Sequence, residues 1–214
     1  MRMVNEASFN ENKAMPFSQS RIEITRSGLD PVNYPDTRWA DLSIRNVSSI
    51  HQHFLSVAGG NSTARFAITG NYLSQEGMLQ NTSFSRASLR ANTSVDLRKN
   101  IVVFADMFIN RNQQKEPYSG NNQIFSWVYT AAPNVVARFP QKEGRPGYTY
   151  YGDIGETWNP VANLDKGGYR QSLRDEALLN LRPKWTVIPG LDFKGQFSYR
   201  VSTGVDKRNR DAYV

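Results

Sequence analysis

The sequence predicts an all-β protein, in which an antiparallel meander of about six long strands forms an arc of a large transmembrane β-barrel, with short helices in the long loops. Three observations support this prediction. Apolar and polar side chains alternate with a period of two along several segments. These segments run for roughly 10 to 14 residues, whereas strands of soluble proteins have about five or six and a tilted membrane-spanning strand needs about 9–11. Tight turns alternate with long connections, as in bacterial outer-membrane barrels.

Composition excludes several classes of protein. The chain has 214 residues, no cysteine, 26 Lys and Arg against 19 Asp and Glu, and a formal net charge of +7. Without cysteine there is no disulfide scaffold, thiolate nucleophile or cysteine-ligated metal. The mean hydropathy of −0.58 and the lack of an apolar run of about 18 residues exclude a transmembrane helix, but they are compatible with strands that are apolar on one face only.

Neither the first residues of the chain nor the basic cluster near its last residues changes the prediction of a β-barrel arc. Met1–Glu6 has no apolar stretch and no cleavage motif of a signal peptide, and the mature part of an exported protein would look the same. The densest basic cluster, Lys207–Arg210, has only four residues and lies between Asp206 and Asp211. Because a nucleic-acid interface needs a basic patch within a recognisable module, we expect no nucleic-acid partner.

Residues 1–48 are predicted to be a loop segment with short helices. Ser18 is a candidate N-cap for a helix that contains Arg21 and Glu23. Gly28 and several prolines then mark an irregular loop.

Residues 49–112 are predicted to contain four barrel strands. The clearest alternation places Leu89 and Ala91 on one face of a strand, and Arg90 and Asn92 on the other. Residues 113–173 interrupt this pattern and are predicted to be a long extracellular loop, and residues 174–214 to hold two further strands and the start of the next loop. The six expected strands lie near 49–58, 63–73, 83–97, 101–112, 174–187 and 191–202.

Six short sequence pieces resemble the SusC/RagA family of TonB-dependent outer-membrane transporters. They occur in family order along the chain: Tyr34–Trp39, His53–Gly60, Tyr72–Gly77, Phe84–Arg90, Asn159–Leu164 and Pro189–Lys194. Family members are several times longer, so the match covers an internal part of the barrel region.

The resemblance implies part of a TonB-dependent outer-membrane importer of nutrients in a Gram-negative bacterium. The usual cargo of the family is an oligosaccharide, or a peptide in some members, and a SusD-like surface lipoprotein caps the extracellular mouth of the barrel. The resemblance further implies a wall in contact with outer-membrane lipid, no cofactor, and a TonB contact outside this chain. A secreted β-sandwich that binds carbohydrate or acts as an adhesin is the alternative, with shorter strands and polar outer edges.

Two sets of residues are candidates for contact with ligands or partners. Aromatic residues of the long loop could stack on sugar rings or meet a lid partner, or else pack the loop on itself: Trp127, Tyr129, Tyr148, Tyr150 and Trp158. Polar residues of the predicted strands could face a lumen and contact cargo, or else hydrate the lumen or pair with charges of an internal plug: Arg86, Arg90, Asn92 and Asp106.

No pattern in the sequence indicates an enzyme. His51 and His53 lie on one face of a strand, but no acidic residue at a suitable spacing completes a metal site. No nucleophile, base and orienting residue occur together. Glu143, Asp153 and Glu156 lie in the long loop at spacings that fix no catalytic pair. We therefore expect no catalytic, cofactor or metal site.

Overall fold

The computed structural model describes residues 1–140, 149–155 and 158–211. Across these residues the chain forms one antiparallel sheet with a few short helices, and the predicted all-β meander is confirmed. The helices are α1 (Arg2–Asn10), α2 (Gln19–Ser27), α3 (Trp39–Ser43), α4 (Asn121–Thr130) and α5 (Pro160–Lys166). The strands are β1 (Ile50–Gly60), β2 (Ala64–Glu76), β3 (Ser83–Arg98), β4 (Ile101–Pro117), β5 (Tyr169–Ile188), β6 (Leu191–Lys194) and β7 (Phe197–Asn209).

Strands β1 to β6 follow one another across the sheet, and β7 also pairs with β5. The last two strands continue each other: Lys184 faces Lys194 and Leu181 faces Phe197 in an unchanged register. The interruption falls at Pro183, which has no N–H to donate to the neighbouring strand. Its carbonyl still accepts a hydrogen bond from the amide of Gly195 at 3.0 Å. The meander thus has six positions, the last held by an interrupted strand.

Short and long connections alternate, as the sequence predicts. Residues 61–63, 99–100 and 189–190 form short turns at one end of the sheet, whereas residues 77–82 and 118–168 connect the strands at the other end. The first short turn is closed by the side chain of Asn61, whose Oδ1 accepts hydrogen bonds from the amides of Thr63 and Ala64 at 2.8 Å.

Three strand ends differ from the prediction by five residues or more, and one of them is the end of β7 at Asn209 instead of near residue 202. Strand β4 continues to Pro117, and β5 already begins at Tyr169, so the long connection is shorter than the expected 113–173. The reason is that Arg111 and Lys115 occupy positions on the otherwise apolar side of β4, where the alternation of apolar and polar residues fails. Backbone pairing, such as that of Lys115 with Ser83, defines these strand ends instead.

The remaining segments form a separate compact unit, which we call the loop unit: residues 1–46, 117–168 and the described part of 210–214. Its apolar core contains Trp39 of α3 and residues of α4 and α5, namely Ile124, Val128, Val161, Ala162 and Leu164. The indole Nε1 of Trp39 donates to the carbonyl of Ala132 at 3.0 Å, and the amide of Thr37 donates to the carbonyl of Pro133 at 2.7 Å. The segment 1–46 is thereby packed against a segment roughly a hundred residues later.

The helices of the loop unit have recognisable ends. The Ser18 side chain caps α2 by accepting from the Arg21 amide at 3.3 Å, as predicted, and Gly28 ends this helix with a φ of 65°. Asn159 caps α5, where its Oδ1 accepts from the amides of Val161 and Ala162. In the described part of the chain, no helix is both long and apolar enough to cross a membrane.

Candidate functional site

The sheet unit, residues 47–116 and 169–209, sorts its side chains onto two faces. The polar face contains Arg90 and Asn92 of β3, and Asn92 lies opposite Asp106 of β4. Five ion pairs connect residues of this face: Arg65 with Asp96, Arg182 with Asp106, Arg174 with Asp206, Lys184 with Asp192, and Arg200 with Glu176. All four candidate lumen residues, Arg86, Arg90, Asn92 and Asp106, share this face. That it lines a lumen remains a prediction.

The apolar face is formed by the alternate residues of the same strands. Val57, Ile68, Ala91 and Met107 lie side by side in one row across four strands. Large apolar side chains here are strongly exposed, with Leu55 at 71% and Phe197 at 57%. Contiguous exposure on this scale is unusual for a soluble monomer.

The apolar face is a band with a polar boundary. On β4 it extends from Ile101 to Ile109, about 27 Å along the strand, or about 20 Å in height at a typical barrel tilt. Beyond Ile109, Arg111 makes a two-pronged ion pair with Asp175 of β5, at 2.7 and 2.8 Å. At the short-turn end, Trp185 and Phe193 lie with their ring centroids 6.2 Å apart. Aromatic residues at the edge of an apolar band of this height are typical of membrane barrels.

The loop unit contains a cavity of about 330 Å³, which we call the aromatic cavity. Its lining residues are Tyr118, Ser119, Trp127, Trp158, Asn163, Gly167, Arg210 and Asp211. Trp127 of α4 and Trp158 stack with their ring centroids 6.2 Å apart and their planes inclined by 26°. The guanidinium of Arg210 lies 5.6 Å from the centre of the Tyr118 ring. The cavity thus combines aromatic surface with polar groups.

Asn163 is the buried polar residue of this cavity. It is only 4% exposed, and its Oδ1 has no hydrogen-bond partner among the described residues. Gly167 leaves room for it, because a Cβ at that position would lie 2.9 Å from the Asn163 Cγ. A buried acceptor without a partner is unfavourable unless a ligand or water donates to it. Asn163 is not among the residues predicted from the sequence, although it lies in the resembling piece Asn159–Leu164.

Of the four candidate aromatic residues that the structure describes, two lie together. Trp127 and Trp158 line the aromatic cavity, whereas Tyr129 is 74% exposed on the same helix as Trp127 and does not line it. Tyr150 lies on a neighbouring stretch, where its carbonyl accepts from the amide of Phe139. Tyr148 lies outside the described residues. The roles of all five in ligand or partner contact remain predictions.

A cluster of polar residues outside the aromatic cavity stabilises the loop unit. Arg138 binds the carboxylate of Asp165 through two hydrogen bonds of 2.7 and 2.8 Å, and the Tyr151 hydroxyl donates to the same carboxylate at 3.1 Å. Burial, followed by the negative charge of Asp165, raises the pKa of Tyr151 to about 12. The phenol is therefore neutral at physiological pH and acts as a structural hydrogen-bond donor.

Neither the histidines nor the described acidic residues assemble into a metal site. Among the described residues, no three His, Cys, Asp or Glu side chains lie close enough to hold a metal ion. The side chain of Asp153 accepts the amide of Gly155 at 2.8 Å, while Glu143 and Glu156 lie outside the described residues.

A long-stranded antiparallel sheet with one exposed apolar band is consistent with an arc of a β-barrel. No protein-family model matches the chain. It is similar to TonB-dependent receptor P3 of Formosa agariphila, with 26% identity over 171 residues. The match covers 77% of this chain but 16% of that relative, so the chain spans a small part of the relative's length. This similarity supports a relationship to the TonB-dependent receptors.

Proposed function

We propose that this chain is part of a TonB-dependent outer-membrane importer of a Gram-negative bacterium, and that its sheet forms an arc of the barrel wall. The observation that carries the proposal is the exposed apolar band, which ends at the Arg111–Asp175 ion pair. Its height suits the hydrocarbon core of an outer membrane. The similarity to TonB-dependent receptor P3 supports the same assignment independently.

The arc needs further strands before it can transport. An open sheet leaves N–H and C=O groups of its first and last strands unpaired, and each such group costs several kcal/mol in hydrocarbon. Bacterial barrels close with eight or more strands, and this meander has six positions. Uptake therefore belongs to a complete barrel energised through TonB, and the chain itself has no catalytic role.

We infer that the cargo is an oligosaccharide and that a SusD-like lipoprotein assists its capture, as in the SusC/RagA subfamily that the sequence pieces resemble. The aromatic cavity supports this inference, because the stacked Trp127 and Trp158 offer apolar ring surface beside the buried acceptor of Asn163. A pyranose ring has an apolar face and hydroxyl donors, which suit these two features. Peptide cargo is the other possibility, and ligand binding separates the two.

The β-sandwich alternative has less support. A sandwich packs two sheets against each other, whereas the residues that the structure describes form a single sheet. In water, the exposed apolar band of this sheet would also promote aggregation.

Sedimentation without detergent tests the barrel assignment. We expect the isolated 214-residue chain to pellet or aggregate through its edges in buffer, and to remain dispersed with β-type circular dichroism in detergent micelles. A stable, monodisperse soluble monomer would contradict the barrel arc and favour the sandwich module.

A further inference from the structure

A second cavity lies on the polar face of the sheet unit and has a volume of about 340 Å³. Strands β3, β4 and β5 contribute its polar lining, which consists of Arg90, Asn92, Asp106, Asn180 and Arg182. We call it the arginine cavity. It is separate from the aromatic cavity, because the two share no lining residue.

The positive charges of this cavity exceed its negative charge. Arg182 binds Asp106 at 2.5 Å, so the carboxylate of the cavity is already neutralised. Among the described residues, Arg90 has no carboxylate within ion-pair distance, and its guanidinium lies 5.3 Å from the centre of the Phe108 ring. Two other acids of the polar face are also engaged, since Glu176 pairs with Arg200 and Asp96 pairs with Arg65. Arg90 is thus an uncompensated cation in a polar cavity.

The position of Arg90 suits the recognition of an oxyanion. Its guanidinium is planar and presents a fork of N–H donors that matches a carboxylate, sulfate or phosphate group. Contact with the Phe108 ring restricts the side chain, so less conformational freedom is lost when a ligand binds. The amides of Asn92 and Asn180 can both donate and accept hydrogen bonds, which suits neighbouring hydroxyl groups.

We propose that the arginine cavity binds an acidic oligosaccharide through an oxyanion that contacts Arg90. This inference rests on the proposed importer function and specifies the charge of its cargo. An acidic segment of polypeptide would satisfy Arg90 as well. The two amides beside it favour a ligand that is rich in hydroxyl groups.

Calorimetric titration of the full-length protein in detergent tests the proposal, with trigalacturonate as the acidic probe and maltotriose as the neutral one. We expect Arg90→Gln to weaken trigalacturonate binding at least about tenfold, the loss typical of a hydrogen bond to a charged group, and to leave maltotriose binding unchanged. Arg90→Lys should retain part of the affinity. Arg86→Gln is the matched control: Arg86 lies on the same strand and face, also has no carboxylate partner among the described residues, and does not line the cavity.

Three results would overturn the proposal. Equal affinity of the unaltered protein for the two sugars would refute the charge preference while leaving the importer function intact. Equal losses for Arg86→Gln and Arg90→Gln would indicate general electrostatic attraction rather than this cavity. Binding of tetraglutamate that depends on Arg90, together with no binding of trigalacturonate, would assign the cavity to an acidic polypeptide.

Discussion

Arg111 and Asp175 form a two-pronged ion pair between β4 and β5 at the polar boundary of the apolar band, 64 residues apart in sequence. Both side chains are partly exposed, so water screens the pair and its own contribution to stability is small. Its importance is positional, because it ends the apolar row that begins at Ile101.

A double-mutant cycle of Arg111→Ala and Asp175→Ala measures this contribution. We expect each single change to lower the free energy of unfolding in detergent slightly, and a small favourable coupling energy that falls as salt is added. The measurement is urea denaturation followed by circular dichroism. A coupling energy that is zero at low salt would mean that the pair has no role at the boundary.

An arginine introduced on the apolar face of β3 should impair assembly more than one introduced on its polar face. Val95 lies on the apolar face of β3, opposite Val103 inside the apolar band, and Asn92 lies on the polar face, so Val95→Arg should cost about 2–4 kcal/mol in the membrane interior and Asn92→Arg little. Heat-modifiable migration of the full-length protein reports assembly in the membrane. Equal loss of assembly in the two variants would show that the face assignment is wrong.

The stacked tryptophans are expected to bind the cargo. Trp127→Ala should weaken oligosaccharide binding by roughly threefold to tenfold, because an aromatic stacking contact contributes about 0.5–1.5 kcal/mol. Tyr129→Ala is the control, since Tyr129 lies on the same helix but is exposed and outside the aromatic cavity. Quenching of tryptophan fluorescence by the ligand, or calorimetry for the variant that lacks Trp127, gives the affinities. Equal affinities in the two variants would count against the aromatic cavity.

The buried acceptor of the same cavity provides a second test. Asn163→Leu removes an unpartnered Oδ1 and keeps the branching and the number of side-chain heavy atoms, so we expect stability to be unchanged or higher and oligosaccharide affinity to fall severalfold. Thermal unfolding and calorimetry measure the two quantities separately. A parallel loss of stability and affinity would indicate that Asn163 is structural.

Alkaline pH should weaken the loop unit through Tyr151. The pKa of its phenol is raised to about 12, whereas an unfolded chain would titrate near 10. Because the folded state binds the proton more tightly, this stabilisation is complete below about pH 10 and is lost as the pH rises towards 12. Absorbance titration of Tyr151→Phe should lack one tyrosine that ionises near pH 12. A missing ionisation near pH 10 would contradict the raised pKa.

The alternation of apolar and polar side chains along the sequence was enough to predict the strands and their faces. Leu89 and Arg90 point to opposite sides of β3 because successive residues of any strand do so. Helix α2 was equally predictable from the sequence, because Ser18 and Gly28 act on backbone groups within a few residues of themselves. These features depend on local covalent geometry and need no distant contact.

The ends of the strands were harder to predict from the sequence. Along β4 after Ile109 and at the start of β5, polar residues occupy both faces, and no period of two remains to be detected. The interruption between β6 and β7 depends on Pro183, a residue of the neighbouring strand. Such boundaries are decided by which backbone groups find partners across the sheet.

The candidate sites were decided by tertiary structure. The sequence named Trp127 and Trp158, but only folding places their rings 6.2 Å apart and adds Asn163 beside them. In the same way, Asp106 is neutralised by Arg182, 76 residues later, whereas Arg90 has no carboxylate partner among the described residues. Side-chain alternation is a property of neighbouring residues, so the sequence alone reveals it. A cavity and its net charge arise from contacts between distant segments, which only the packed chain defines.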